Sequence, residues 1–168
     1  MEMALAQRTI FYLLAWSLVT GCTGQVGEQC AASVAGSCPA GWVAWGKACY
    51  KVTADRFPAQ ADALNACSNA GAVMAAPTSE QEDLFLHALV GPTFWINCSD
   101  IREEGNFECA GDNAETKFRN WRDGEPSNSN SAENCVSSSA TGWNDITCNL
   151  PGNGMKTVCK APMPKLHF

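Results

Sequence analysis

Ten cysteines among 168 residues are the side chains whose type and spacing first promise chemistry in this chain. Thiols at this density either close disulfides in an oxidising compartment or hold a metal, zinc above all. No Cys-x-x-Cys pair occurs, and His87 and His167 stand far from each other and from any group of cysteines, which disfavours zinc. Disulfides, and with them a secreted, extracellular setting, are the expectation. Covalent catalysis needs a serine or cysteine beside a base, and the sequence sets neither histidine beside such a nucleophile. Glu125 and Glu133 are a carboxylate pair that a glycosidase could use, but with the cysteines committed to bridges and neither histidine beside a nucleophile no enzyme is expected.

The elements that must position these groups are legible in outline. Residues 41–52 alternate bulky side chains with turn glycines and read as a hairpin. Pro58 is expected to open a first helix at its tolerated first position, with Ala61, Leu64, Cys67 and Ala70 repeating along it and Gly71 ending it. Ser79 with Glu82 three residues on is a capping box that announces a second helix, in which Leu84, Phe85, Ala88 and Leu89 are expected to face a core and His87 to sit at the surface or rim. Residues 93–97 form a short aromatic and β-branched strand, central by its apolar density. Residues 99–140 are long, polar and without a regular pattern, which marks a functional or a disordered stretch, and the cysteines and tryptophans inside it favour function. Trp143, Val158 and Cys159 return to the core.

At the amino end, Arg8 precedes an apolar run over residues 10–19 and small residues follow, so residues 1–24 read as a cleaved signal peptide. That run is too short to span a bilayer. Residues 25–37 are expected to be a short flexible lead, residues 38–161 the one domain, and residues 162–168 a tail. The net charge is −6, and it stays there because Glu2 and Arg8 leave together. Such a balance disfavours nucleic acid or an anionic membrane as partner.

Cys38 and Cys49 around Gly41-Trp42 are followed by Trp95-Ile96-Asn97, Asn120-Trp121, Gly124-Glu125-Pro126-Ser127, Glu133-Asn134-Cys135-Val136, Trp143-Asn144-Asp145, and Cys148 with Cys159. In this order and at these spacings the set resembles the C-type lectin-like domain. The resemblance implies an α+β fold of two helices, two small antiparallel sheets and a long calcium-binding loop region. It also implies the bridges Cys38–Cys49, Cys67–Cys159 and Cys135–Cys148, and the two closely spaced cysteines that remain, Cys98 and Cys109, are expected to pair with each other. Cleavage after Gly24 leaves Cys30 for a bridge between chains and a possible disulfide-linked homodimer; cleavage after Gly21 leaves Cys22 to pair with it.

The same resemblance implies a site. Glu125, Ser127, Glu133, Asn144 and Asp145 fall on the family's ligand positions for a Ca2+ ion that binds sugar directly, and calcium wants six to eight oxygens of this kind. Pro126 is expected to be cis, and Trp143 to anchor the loop rather than touch ligand. Asp100, Glu104, Asn128 and Asn134, with Glu133, match a second, auxiliary calcium position, where Asn128 and Asn134 stand for aspartates. Glu-Pro-Ser departs from the Glu-Pro-Asn of mannose-type and the Gln-Pro-Asp of galactose-type relatives. Glu125 leans to mannose-type glycans, with galactose-type possible, in an extracellular defence (innate immunity) or adhesion role. An ordinary polar loop is the competing account of residues 125–145, since Asn, Asp and Ser favour turns, and a module that binds protein, ice or mineral without sugar is the competing function. Asn97-Cys98-Ser99 is formally a glycosylation sequon, but its cysteine and its place in a core strand argue against use.

Overall fold

The computed structural model describes residues 34–113 and 117–166. The leader at 1–24, the alternatives for Cys22 and Cys30, and His167 lie outside the described residues. Strand β1 (Val34–Ala35) is followed by a hairpin of β2 (Val43–Trp45) and β3 (Ala48–Val52), which the Cys38–Cys49 disulfide closes.

Helix α1 (Gln60–Asn69) begins two residues after Pro58 rather than on it. The Pro58 carbonyl is taken by the Leu150 amide at 2.9 Å, and Ala59 stays extended in a bridge to Asn149, so the chain cannot turn helical earlier. Its buried face is Gln60, Ala63 and Cys67, whereas Ala61 and Ala70 of the expected repeat are exposed. That face is spaced by three and then four residues, and the Cys67–Cys159 disulfide holds it against the sheet.

After β4 (Val73–Met74), helix α2 (Glu80–Val90) starts at Ser79, whose hydroxyl accepts from the Glu82 amide at 3.2 Å. The reciprocal half of the capping box is absent. Glu82 turns inward instead and accepts from Thr78, Tyr50 and Lys160. That rotates the helix, so Glu82, Asp83 and Leu86 are buried, Phe85 and Leu89 are half-buried, and Leu84 (63% exposed) and Ala88 face solvent. Burial by itself would raise the Glu82 pKa, but its bonds from Lys160, Thr78 and Tyr50 outweigh that and hold the carboxyl below its ordinary value.

The remaining elements are β5 (Thr93–Ser99), β6 (Glu108–Cys109), a single 3-10 turn (Ser129–Ser131), β7 (Cys135–Ser139), β8 (Gly142–Ile146), β9 (Lys156–Pro162) and β10 (Lys165–Leu166). Strand β7 lies within the stretch expected to lack regular structure. Backbone pairing with β5 and β8 makes the strand, and its buried Ser137 and Ser138 hide it from any apolar count.

The α+β architecture with two helices is the one expected. The strands run β2-β3-β9-β5-β7-β8, with β4 against β9 and β6 against β5. Two antiparallel groups are thereby joined where β5 and β9 run parallel at Phe94–Lys156 and Trp95–Thr157. The two flanks also meet, since β1 pairs with β10 and Gly36 N donates to Pro164 O at 2.8 Å.

One core cluster under α2 holds Tyr50, Leu86, Phe94, Ile96, Val136 and Trp143. A second under α1 holds Ala63, Cys67, Met74, Trp95 and Met155. Each large apolar side chain buried in them contributes roughly 1.5–3 kcal/mol. Between the two, β5 bulges against β7, and the buried Gln60 amide answers the bulge by donating to Ile96 O and Cys98 O, both at 3.0 Å. The disulfides Cys98–Cys109 and Cys135–Cys148 fasten the two ends of the loop region to the sheet.

Candidate functional site

Residues 120–122 lie alongside β8 and carry one wall of the site. Trp143 N donates to Asn120 O at 2.6 Å, and Arg122 N donates to Trp143 O at 3.0 Å. So close an approach requires glycine at 142, where φ is +119° and an added Cβ would stand 2.7 Å from Arg122 N. Aromatic packing holds the segment from behind, with Phe107 against Trp121 and Phe118 and Trp121 against Trp143.

Trp143 is fully buried, and its indole N–H donates to Asp83 Oδ1 at 3.3 Å, which fits an anchoring role. Asp83 Oδ2 accepts from the Asn120 amide at 2.8 Å, so one α2 carboxylate ties down both strips that frame the site. Neither Asp83 nor Asn120 carries a sequence signal for this task, since the contact joins residues 37 apart.

The chain turns at 122–125, with Glu125 N donating to Arg122 O at 3.1 Å, and reaches a cis Glu125-Pro126 peptide. Beyond it Ser127 N and Asn128 N donate to Asp145 Oδ1 and Oδ2 at 2.9 and 2.7 Å. Ser127 Oγ donates to Glu133 Oε2 at 3.3 Å, which also accepts from Ser129 N at 2.7 Å. Arg122 Nη2 spans Glu125 Oε1 at 2.7 Å and Asn144 Oδ1 at 3.0 Å. Glu125, Ser127, Glu133, Asn144 and Asp145 are thus brought into one connected patch, although they come from two loop stretches and β8.

The electrostatics of the patch are uneven. Asp145 is wholly buried, and burial, with the Glu125 carboxyl beside it, raises its pKa against the pull of the two backbone amides. Burial also pushes Glu125 up, but hydrogen bonds led by Arg122 outweigh it and hold the group below its ordinary value. The Glu125 side chain is 8% exposed, and its Oε2 is buried with no hydrogen-bond partner. An unpartnered buried carboxylate oxygen is costly and fits a cation. Among the described residues no three His, Cys, Asp or Glu side chains group tightly enough to hold a metal by themselves. Any ion here would therefore draw on Ser127 and Asn144 as well as on the carboxylates.

The auxiliary set is more dispersed. Asp100 is buried, its Oδ2 accepting from Gly105 N at 2.8 Å while Oδ1 has no partner. Asp100 N donates to Asn134 O, and Asn128 Oδ1 accepts from Glu133 N at 3.2 Å. Glu104 is exposed.

Sequence reasoning missed Arg122, whose two acceptors lie three and 22 residues away. A basic side chain just before the Gly124-Glu125 turn was the available signal. It also missed a serine beside His87: Nε2 meets Ser138 Oγ at 2.9 Å, and Asp83 Oδ1 lies 3.3 Å from the same hydroxyl. The carboxylate touches the serine and not the histidine, and Ser138 is fully buried, so the trio lacks both the order and the access of a hydrolytic triad. His87 itself is half-buried at the rim of α2.

A family model of the lectin C-type domain matches residues 59–161. Perlucin-like protein of Mytilus galloprovincialis is 28% identical over 154 residues, which cover 86% of this chain and 90% of that protein. C-type lectin domain family 4 member M of Nomascus concolor is 31% identical over 130 residues, 74% of this chain, but the match spans only 31% of that relative's length. Among solved structures, the cow C-type carbohydrate-recognition domain of CD23, determined in the presence of GlcNAc2Man3 oligosaccharide, superposes with a TM-score of 0.68 at 27% identity and covers 77% of this chain and 98% of that one. A calcium-independent type II antifreeze protein, at a TM-score of 0.67 and 24% identity over 81% of this chain and all of that one, shares the fold. Among the described residues no helix is long and apolar enough to cross a membrane.

Proposed function

The chain belongs to the C-type lectin domain family, and from that premise we propose that it is a secreted, calcium-dependent carbohydrate-binding protein whose ligand site is the patch around Glu125 and Asn144. The observation that carries the reading is the convergence of Glu125, Ser127, Glu133, Asn144 and Asp145, with one buried carboxylate oxygen of Glu125 left without a partner. When bound, calcium supplies coordination positions for two neighbouring hydroxyls of a sugar. The chain's own groups do the rest. Carboxylate oxygens of Glu125 and Glu133 accept from those hydroxyls, and the Asn144 amide donates to them. Asp145, held by two backbone amides, fixes the spacing of the loop against β8. No bond is broken, so the activity is recognition and not catalysis.

Glu125 leans the preference to mannose-type glycans. Ser127 offers one rotatable hydroxyl where an amide would offer two donors and a carbonyl, so affinity is expected to be modest. Of the auxiliary set, Asp100 has the strongest case, since its Oδ1 is buried and unpartnered. The four disulfides among the described residues suit an extracellular place.

Elution from immobilised mannose by a chelator, with a glycan array run with and without calcium, tests the reading. Calcium-dependent retention is expected. Equilibrium dialysis that finds no calcium uptake at extracellular concentrations refutes it. A second reading, a module that binds protein, ice or mineral without sugar, draws on Arg122, which already satisfies an oxygen of Glu125 and that of Asn144. Failure to bind immobilised mannose or any arrayed glycan, with calcium or without, would favour it.

A further inference from the structure

We propose that Arg122 is a built-in competitor for the calcium site, a guanidinium aimed at the ion's ligands that sets the calcium concentration at which the site fills. This rests on the calcium reading of the site given above. Arg122 Nη2 donates to both Glu125 Oε1 and Asn144 Oδ1, at 2.7 and 3.0 Å, and Nε adds a bond to Glu125 Oε1 at 3.1 Å. One planar cation therefore holds an oxygen from the loop and an oxygen from β8 together, which is the task assigned to the metal.

The arrangement is built in rather than incidental. Both backbone polar groups of Arg122 are engaged, its amide by Trp143 O and its carbonyl by Glu125 N, so the side chain starts from a fixed point at the edge of the site. The closeness of residues 120–122 to β8 that permits this depends on Gly142. The side chain itself is 43% exposed, which leaves it a path into solvent.

An ion at ordinary calcium–oxygen distance from Glu125 Oε1 would stand no more than roughly 5 Å from Nη2. Two cations cannot both lean on that oxygen without repulsion, so filling the site drives Arg122 outward. Guanidinium pairs this exposed are weak, hence the competition shifts a threshold and does not close the site. Arg122 satisfies only Oε1 and leaves Oε2 without a partner, so the demand for a stronger cation persists. At low calcium the guanidinium keeps Glu125 and Asn144 in register, and the loop stays ordered for reloading.

Calcium titration calorimetry on the full chain, compared with Arg122→Gln and Arg122→Lys, tests this, alongside thermal melts in chelator and in saturating calcium. Arg122→Gln is expected to bind calcium roughly 3- to 10-fold more tightly, in proportion to the loss of an exposed ion pair. It should melt below wild type in chelator and level with it in saturating calcium. Arg122→Lys should fall between, because an ammonium keeps the charge but lacks the second nitrogen that Arg122 places on Glu125 Oε1 and the rigid planar geometry that aims it. Equal or weaker binding by Arg122→Gln, or an unchanged melt in chelator, overturns the competition. A lysine variant that binds as wild type does reduces the effect to net charge and overturns it too. If wild type takes up no calcium and Arg122→Gln does, the competition stands and the lectin reading of the natural chain falls; if neither takes it up, both fall.

Discussion

Replacing Gly142 with alanine should unseat the wall of the site and cost roughly 3–5 kcal/mol of stability, a sum of two effects that separate cleanly. The first is the backbone: φ at 142 is +119°, where a side chain costs about 1–3 kcal/mol. The second is the clash. The new Cβ would stand 2.7 Å from Arg122 N, 2.8 Å from Asn120 O and 2.9 Å from Arg122 Cα, all backbone atoms with no flexible end to swing away. Relief means moving residues 120–122 off β8, which breaks the hydrogen bonds between Trp143 N and Asn120 O and between Arg122 N and Trp143 O, at about 1 kcal/mol each.

Gly41→Ala is the internal control, because φ there is +80° and no atom lies within 4 Å of its added Cβ. Only the backbone effect applies to it. Urea denaturation of both variants should place Gly142→Ala about 2 kcal/mol below Gly41→Ala. Calcium calorimetry should show the Gly142 variant weakened as well, since Glu125 would lose its register with Asn144. Stabilities within about 1 kcal/mol of each other would refute the claim that the 120–122 segment is held by this contact.

Glu82→Gln should destabilise the fold at neutral pH by roughly 3 kcal/mol, because Lys160 and Tyr50 lose a buried charged partner. The Glu82 pKa is lowered in the folded state, so its contribution is full above the ordinary value of 4.5 and is lost as pH falls through the folded value. Denaturation at pH 7 and at acid pH should therefore show the gap between variant and wild type narrowing at the acid end, and a constant gap would contradict the assignment. Removing the Cys67–Cys159 bridge, which spans 92 residues, should cost roughly 4–5 kcal/mol on the chain-entropy account, read as a lower urea midpoint of the Cys67→Ser, Cys159→Ser double variant. Ser127→Asn should tighten mannose binding by about fivefold, the worth of one added hydrogen bond, and unchanged calorimetry would count against a sugar contact at 127.

The residue types determined a good deal alone. Ten cysteines, the Ser79–Glu82 spacing, the aromatic strand at 93–97 and the ordered run of Glu125, Glu133, Asn144 and Asp145 belong to the chain before it folds, and through the family resemblance they carry they imply the fold class and the candidate positions. Tertiary structure decided which face of each helix turns inward. Leu84 looks like core by pattern, yet Glu82 and Asp83 take the inner face because their partners, Tyr50, Lys160, Asn120 and Trp143, are 32 to 78 residues away. It decided that Cys135–Ser139 is a strand, since its serines are satisfied by neighbours and not by apolar burial. It also decided that Arg122 reaches Asn144. Local pattern reports what a residue prefers; convergence of distant segments depends on the pairing of 120–122 with β8, and only the folded chain contains that contact.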